Sequence, residues 1–287
     1  MPDSDMPLHL LNATKTKKTR THWTFRKLIS RVFITLGFLY AAGLAIVMYF
    51  QDDLVYWPTA QNAEAISEFK YRTYTIADGD IQYGLYIART ERDEPRKGIV
   101  FYLHGRGENH LAISDFTFFY PYNGWDVYAL EYPGFNGLQG RPTEASIGAS
   151  IASAYARIQR EMAPDEKLVI HGNSLGAGPA LQAAQYPHDV LILTAPVGNM
   201  QDLAARYAPI YPSFLLRSHW DNWQRARTAY QAPRYVLHSR DDMVVPYQQG
   251  QRLAEVLRAD FTLLENEGHL IGDRGNRVLH DHYPDPR

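Results

Sequence analysis

The chain has no cysteine among its 287 residues. This absence excludes a disulfide framework, a thiolate metal site, a cysteine nucleophile and attachment of a lipid to cysteine. It leaves the redox compartment open. Internal repeats and low-complexity tracts are also lacking, and 45% of the residues are hydrophobic against 21% charged. This balance excludes a fibrous or disordered chain and is typical of one large domain with a sizeable core.

Signatures of nucleotide and metal sites are missing as well. The glycine-rich segment 172–178 lacks the Lys-Ser/Thr pair of a phosphate-binding loop, and no Gly-x-Gly-x-x-Gly follows a first strand. His104 and His110 lack the spacing of two ligands on a metal-binding helix. The segment 280–282, His-Asp-His, is interpreted as a solvated tail. The sequence therefore predicts no cofactor and no metal.

Charge is absent from one long stretch, residues 32–50. As a helix rising about 1.5 Å per residue, this stretch spans roughly 28 Å, enough to cross the hydrocarbon core of a bilayer. A buried core helix of this length would normally show a polar face, and this stretch has none. The stretch is therefore predicted to be a transmembrane helix.

Charge is uneven on the two sides of this helix. The first fifty residues hold seven Lys or Arg against two Asp, a net +5, so residues 51–287 carry −7 of the total of −2. The basic excess predicts a cytoplasmic N-terminus and places the rest of the chain on the opposite, periplasmic or extracytoplasmic, side. The basic cluster at 15–20 is interpreted as an orientation signal, so no nucleic-acid partner is predicted.

A cleavable signal peptide is the alternative to a retained anchor, because Ala41, Ala42 and Ala45 offer small residues for cleavage. The long segment before the apolar run favours a retained signal anchor. The sequence does not determine the oligomeric state. The predicted organisation is a basic tail at 1–31, a signal-anchor helix at 32–50, a globular domain at 51–275 and a C-terminal tail at 276–287.

Strand and helix patterns alternate after the apolar run. An opening hairpin is predicted from residues 71–76 and 81–88, with a turn at Asp78-Gly79-Asp80. Further strands are predicted at 98–103, 125–132, 167–171, 190–194, 234–239 and 260–264, and helices at 143–162, 177–186 and 247–258. Strands separated by helices predict an α/β domain with a mainly parallel sheet and helices on both faces.

One stretch in this pattern carries a recognisable reactive group. The apolar run 167–171 leads into Gly172-Asn173-Ser174-Leu175-Gly176, and small residues follow. A strand, a sharp turn and a helix in this order form a nucleophile elbow, in which the serine has a strained backbone conformation. A Cβ at Gly172 or Gly176 is expected to clash with the neighbouring strand and helix. The sequence therefore predicts Ser174 as a nucleophile.

Three further stretches accompany the elbow in a fixed chain order. They are His104-Gly105-Arg106-Gly107 after a strand, the acidic segment 238–246, and Glu267-Gly268-His269 after the last strand. The order Ser, Asp, His is that of α/β-hydrolases. Over about residues 50–270 the chain resembles the single-span, cap-poor α/β-hydrolases, membrane-tethered serine hydrolases that include protein depalmitoylases. The similar segments also include 52–58, 131–137, 140–144 and 202–205.

Each candidate site residue has a chemical role. His269 is the expected general base for Ser174, and a carboxylate is needed to orient the imidazole. Asp241 and Asp242 are adjacent, and the resemblance selects Asp242 because two residues separate it from the Val-Pro pair. Asp241 is then expected to be a solvent-facing turn residue. The backbone N–H groups of Leu175 and Arg106 are the expected oxyanion donors, and the resemblance makes His104 a structural residue at a strand end.

The predicted enzyme is a membrane-anchored serine hydrolase that cleaves esters or thioesters through an acyl-enzyme. A peptidase or amidase with the same residues is the first alternative, and a non-catalytic, membrane-tethered binding protein is the second. About forty residues separate the strands at 190–194 and 234–239, enough for a helix pair and too few for a large cap. Tethering near a bilayer favours a substrate with an acyl chain, such as a lipid or a lipidated molecule. The candidate pocket walls are Phe214, Leu215, Leu216, Trp220 and Trp223, and Phe116, Phe118, Phe119 and Tyr120.

Overall fold

The computed structural model of the chain describes residues 13–59, 70–76, 79–90, 95–108, 117, 119–271, 278 and 281. The chain divides into two units, Met1–Phe50 and Gln51–Arg287. Four residues considered above lie outside the described residues, as does most of the predicted C-terminal tail: Asp78 of the predicted turn, His110, Phe116 and Phe118.

Helix α1 spans Ala13–Tyr56, so it extends beyond the predicted span at both ends. Its segment Thr24–Tyr56 is long and apolar enough to cross a membrane, with a mean hydropathy of 2.1 in the most apolar window. None of that window is buried against protein. By length and composition the helix suits a membrane anchor, and a signal sequence near the N-terminus would share these properties.

The last residues of α1 belong to the second unit and are hydrogen-bonded within it. Tyr56 is fully buried, its hydroxyl donates to Ser218 Oγ at 3.1 Å and it accepts from Trp220 Nε1 at 2.8 Å. The backbone N–H of Arg217 donates to Gln51 Oε1 at 2.7 Å. The turn between Gln51 and Tyr56 is therefore part of the globular unit.

The second unit is built on an eight-stranded sheet in the order β1-β2-β4-β3-β5-β6-β7-β8. Strands β1 and β2 pair antiparallel, as do β2 and β4, and the pairs among β3 to β8 are parallel. This confirms the predicted hairpin and the mainly parallel sheet. The strands are β1 Lys70–Thr75, β2 Gln82–Ala88, β3 Gly98–Leu103, β4 Trp125–Glu131, β5 Lys167–Asn173, β6 Val190–Thr194, β7 Arg234–Ser239 and β8 Asp260–Leu264.

Helices connect the parallel strands close to where the sequence predicts them. They are α2 Phe119–Tyr122, α3 Glu144–Glu161, α4 Ala177–Ala183, α5 Met200–Tyr207, α6 Asn222–Thr228 and α7 Tyr247–Leu257. Helix α3 begins with a capping box in which Thr143 Oγ1 accepts from the Ser146 N–H. Helix α4 ends three residues before the predicted end at Tyr186, because the proline at 187 disfavours a helical conformation before it.

The core lies on both faces of the sheet. Alternate residues of β3 point to opposite sides, so that Ile99 and Phe101 join one buried cluster while Val100 and Tyr102 join another. Residues of α3, α4, α6 and α7 complete the first cluster, and Tyr120 of α2 contributes to the second. Every residue of β3 and β4 is buried, as expected for central strands covered on both faces.

Candidate active site

The site begins at the sharp turn that follows β5. Ser174 has a φ of +53°, a left-handed conformation, and a short 3₁₀ turn, Ser174–Gly176, leads directly into α4. A Cβ on Gly172 would lie 2.5 Å from the Cβ of Ala180, and a Cβ on Gly176 would overlap the carbonyl oxygen of Leu103. The strand, strained turn and close-packed helix therefore form as the sequence predicts.

Ser174, His269 and Asp242 are joined by hydrogen bonds. His269 Nε2 lies 2.9 Å from Ser174 Oγ, and His269 Nδ1 lies 2.7 Å from Asp242 Oδ2. The carboxylate can only accept, so Nδ1 carries the proton and Nε2 is free to accept the serine proton. The structure thus brings together the three residues that the sequence analysis assigned to nucleophile, base and acid.

The carboxylate of Asp242 is buried and has several donors. Its Oδ1 accepts the backbone N–H groups of Val244 at 2.8 Å and Val245 at 2.9 Å, and its Oδ2 also accepts from His238 Nε2 at 3.0 Å. Burial by itself raises the pKa of Asp242, but the hydrogen bonds from His238, His269 and the backbone lower it well below its usual value. The carboxylate therefore remains ionised beside His269.

Asp241 occupies a different place from its neighbour. It is exposed, and its Oδ1 accepts from Ser239 Oγ and, at 3.3 Å, from the backbone N–H of Gly268. These bonds hold the loop that carries His269, so Asp241 is a loop-fastening residue in addition to the turn residue that was predicted.

His238 is a site residue that sequence reasoning missed. It is fully buried at the end of β7, and its Nε2 is shared between Asp242 Oδ2 and the carbonyl oxygen of Val245, each at 3.0 Å. The sequence did offer a signal for His238: it is a polar residue near the end of a buried strand, four positions before the acid.

The two predicted oxyanion donors lie beside the nucleophile. Arg106 and Leu175 line the same cavity as Ser174 and His269. A Cβ on Gly105 would approach within 3.2 Å of the Ser174 Cβ, so the loop after β3 passes close to the elbow. Both residues therefore lie beside Ser174, and the role of their backbone N–H groups as oxyanion donors remains a prediction.

The side chain of Arg106 holds the loop from the outside. Its Nε and Nη2 donate to the carbonyl oxygen of Leu54 at 3.2 and 3.1 Å, and its guanidinium lies 4.9 Å from the Trp57 ring. The backbone N–H of Gly107 donates to the Tyr56 carbonyl at 3.0 Å. The segment that ends α1 is therefore bonded to the loop after β3.

A cavity of about 260 Å³ opens beside Ser174. Its apolar lining comes mainly from α5 and the loops around it, and Val55 from the end of α1 also contributes. The apolar lining includes Val55, Val197, Met200, Leu203, Val244 and Leu270. Glu108 also lines the cavity, and burial raises the pKa of its carboxyl although the charge of His104 and hydrogen bonds from Asn173 and Tyr102 oppose that shift.

None of the described candidates for an aromatic pocket wall lines this cavity, and Phe116 and Phe118 lie outside the described residues. Trp220 is fully buried between Tyr56 and α4, Trp223 packs against Gly198, and Phe214 is 73% exposed. Tyr120 is buried on the other face of the sheet. Aliphatic residues line the cavity instead, because the face that each helix turns to the site depends on packing that residue type alone does not reveal.

No group of three or more His, Asp or Glu side chains is placed to hold a metal ion within the part of the chain that the structure describes. His104 is fully buried at the end of β3, where its ring stacks on Tyr132 with centroids 4.0 Å apart and its Nε2 lies 3.4 Å from Glu131 Oε1. Its surroundings are those of a packed residue at a strand end.

The fold and the serine turn together define the class of α/β-hydrolases. Comparison with known proteins agrees. A family model described as serine aminopeptidase S33, Hydrolase_4, matches residues 94–223. Uncharacterized protein YfhR of Salmonella typhimurium is 26% identical over 226 residues, which are 73% of this chain and 75% of that protein.

A lipase is also among the similar sequences. Lysophosphatidylserine lipase ABHD12 of Danio rerio is 28% identical over 201 residues, which are 60% of this chain and 50% of that lipase. Among solved structures, a soluble variant of monoglyceride lipase from Saccharomyces cerevisiae is similar with a TM-score of 0.57 and 12% identity, covering 73% of this chain and 96% of that one.

The esterase domain of a Rhodothermus marinus protein is similar with a TM-score of 0.53 and 14% identity, over 74% of this chain and 94% of that domain. The chain has the α/β-hydrolase fold and is an enzyme of the serine hydrolase class. The esterases and lipases among its relatives and structural neighbours support an ester hydrolase.

Proposed function

We propose that the protein is a membrane-anchored esterase or thioesterase that forms an acyl-enzyme on Ser174. The observation that carries this proposal is the hydrogen-bonded series from Ser174 through His269 to the ionised Asp242, at the base of an apolar cavity. A serine hydroxyl is a weak nucleophile by itself, and this arrangement supplies the base that activates it.

The reaction proceeds in two acyl transfers. Ser174 Oγ attacks the carbonyl carbon while His269 Nε2 takes the hydroxyl proton, and Asp242 stabilises the resulting imidazolium. The N–H groups of Leu175 and Arg106 bind the oxyanion, each contributing about 2.7 to 4 kcal/mol to the lowering of the barrier. The intermediate collapses, the alcohol or thiol leaves with the proton from His269, and water then releases the acid by the same steps.

The cavity supports an acyl substrate. Its apolar lining suits a hydrocarbon chain, and its volume of about 260 Å³ is below the range of about 300 to 1,000 Å³ usual for pockets that enclose a whole ligand. The cavity therefore holds the acyl part near the carbonyl and leaves the remainder of the substrate outside. The names of two similar proteins, a lysophosphatidylserine lipase and a monoglyceride lipase, support a lipid with one acyl chain.

The anchor supports the same class of substrate. Helix α1 carries an apolar segment of membrane-spanning length, and the basic excess before it favours a cytoplasmic N-terminus with the hydrolase unit on the opposite side. An enzyme tethered to a bilayer meets lipid substrates at a high effective concentration.

Labelling with a fluorophosphonate probe tests the proposal. The full-length chain in detergent micelles is expected to label, and Ser174→Ala is expected to lose labelling completely. His269→Ala is expected to slow labelling by about 10⁴-fold or more, because the nucleophile loses its base. Ser213→Ala, outside the site, serves as the matched control and keeps the wild-type rate. A wild-type chain that does not label refutes the enzyme and favours the non-catalytic binding protein.

Amide hydrolysis is a second candidate, favoured by the family description of a serine aminopeptidase over residues 94–223. An ester, a thioester and an anilide with the same acyl group separate the two candidates, and the acyl chain is then lengthened in steps. Faster turnover of the ester or thioester supports the proposal. Faster turnover of the anilide refutes it and shows that the protein is an amidase.

A further inference from the structure

A carboxylate lies buried against the elbow without a part in the chemistry described above. Glu108 Oε1 accepts from Asn173 Nδ2 at 2.6 Å, and Glu108 Oε2 accepts from the Tyr102 hydroxyl at 3.1 Å. A Cβ on Gly105 would overlap Glu108 Oε1, so the carboxylate packs directly against Gly105. Asn173 immediately precedes Ser174, and Gly105 immediately precedes Arg106. Glu108 therefore links its own loop after β3 to the Asn173 side chain at the end of β5, on the two sides of the expected oxyanion site.

The hydrogen bonds continue from Asn173 across the sheet. Asn173 Oδ1 accepts from Thr194 Oγ1 at 2.9 Å, Thr194 Oγ1 lies 3.1 Å from His171 Nε2, and His171 Nδ1 lies 2.9 Å from the Tyr120 hydroxyl. Each member of this series is at least nine-tenths buried. We call the series the buried chain: Tyr102, Glu108, Asn173, Thr194, His171 and Tyr120.

The hydrogen bonds of the buried chain all run, from donor to acceptor, toward Glu108. Thr194 uses its proton on Asn173, so His171 must donate from Nε2 and accept at Nδ1 from Tyr120. The amide group of Asn173 then donates to Glu108. Every bond from Tyr120 onward thus points toward the Glu108 carboxylate, and such aligned bonds in a low-dielectric interior strengthen one another.

We propose that Glu108 is a positioning residue that ties the nucleophile strand to the oxyanion loop through its hydrogen bond to Asn173 and its packing against Gly105. The inference rests on the proposed acyl transfer at Ser174. Transition-state stabilisation by N–H donors depends on distances set to a few tenths of an ångström. Glu108 sets the separation between Ser174 and the Arg106 N–H without touching the reacting atoms.

The first test is Glu108→Gln, measured with p-nitrophenyl butyrate and the full-length chain in micelles. An amide has one acceptor oxygen in place of two, so one of the two donors, Asn173 or Tyr102, loses its acceptor. We expect kcat to fall about 10- to 100-fold, the effect of losing a hydrogen bond to a charged group, while KM stays within about twofold. Glu255→Gln, an exposed change of the same kind on α7, is expected to match the wild type.

The second test exchanges the partners. Asn173→Asp places two carboxylates against each other, and its kcat is expected to fall further than that of Glu108→Gln. Adding Glu108→Gln to Asn173→Asp restores a donor between the two side chains, so the double variant is expected to exceed Asn173→Asp at least tenfold. If the fold-losses in kcat of the two single variants multiply in the double variant, the two side chains are not coupled, and the proposal is overturned.

The results distinguish this proposal from the proposed function. A wild-type chain without esterase activity overturns both. An active wild type with an equally active Glu108→Gln overturns the positioning role alone. If Glu108→Gln does not fold, Asn173→Ala removes the same tie from the side of β5: a folded variant with reduced kcat and unchanged KM supports the role, and one with wild-type kcat refutes it.

Discussion

Ser174 has a left-handed backbone conformation, with φ of +53°. For a residue with a Cβ this conformation costs about 1 to 2 kcal/mol, and glycine adopts it freely. We therefore expect Ser174→Gly to be more stable than Ser174→Ala by about 1 kcal/mol, although both are inactive. Urea unfolding of the two full-length variants in the same detergent measures the difference.

An ordinary helical position gives the control for this prediction. Ala152 is exposed in the middle of α3, where glycine is disfavoured. Ala152→Gly is expected to lose about 1 kcal/mol. Equal stability of Ser174→Gly and Ser174→Ala would mean that the turn stores no backbone strain.

At this scale the sequence identified residues that belong to motifs. Ser174 and His269 follow from spacing and chain order, and a turn pattern distinguished Asp242 from Asp241 through a resemblance. Glu108 and His238 were missed because their roles come from hydrogen bonds to Asn173 and Asp242. The sequence does not show which way these side chains point, so it does not show that the bonds form. A polar residue near a motif stands out as part of a site when its side chain is buried, because it then needs hydrogen-bond partners. The sequence does not give that burial.

The imidazole of His171 on the central strand β5 is buried beside β6, so its protonated form is disfavoured. Burial lowers the pKa of His171 to about 3, whereas an unfolded histidine titrates near 6.5. Below pH 6.5 the unfolded chain binds a proton that the folded chain excludes. The stability that His171 contributes is therefore complete above pH 6.5 and falls by about 1.4 kcal/mol per pH unit down to about pH 3.

We expect the wild type to lose about 2 kcal/mol from this group between pH 7.5 and pH 5. His171→Gln has no titrating ring at this position, so its stability should depend less steeply on pH. Urea unfolding followed by tryptophan fluorescence at both pH values gives the two slopes. Parallel slopes for the two proteins would show that His171 titrates alike in the folded and unfolded states, against the lowered pKa.

The elements themselves were largely predictable. The eight strands and the helices α3, α4 and α7 lie close to their predicted ranges, since buried parallel strands are continuous apolar runs and α3 has a capping residue in Thr143. The sequence did not predict which elements line the cavity. Met200 and Leu203 on α5 face it, while Trp220 is enclosed in the core, and that difference arises from tertiary packing.

For the whole molecule, the absence of cysteine allows a direct test of the proposed topology. We expect a membrane-impermeant maleimide to label Asp165→Cys, an exposed site between α3 and β5, in sealed cells or spheroplasts. Ser4→Cys, before the basic cluster, should label only after the membrane is opened. The cysteine-free wild type supplies the background.

The reverse labelling pattern would place the hydrolase unit in the cytoplasm. Labelling of both sites in sealed cells that exclude a cytosolic control dye would show that the anchor does not hold the chain in one orientation.

The end of α1 limits where the hydrolase unit can be cut from the proposed membrane anchor. Tyr56 fills the core beneath Trp220, and Val55 forms part of the cavity wall. A protease that cuts after Tyr56 would leave a void of aromatic size, and emptying such a site costs about 3 to 5 kcal/mol. Shedding of an intact enzyme therefore requires a cut on the N-terminal side of Gln51, within the apolar segment or at its edge.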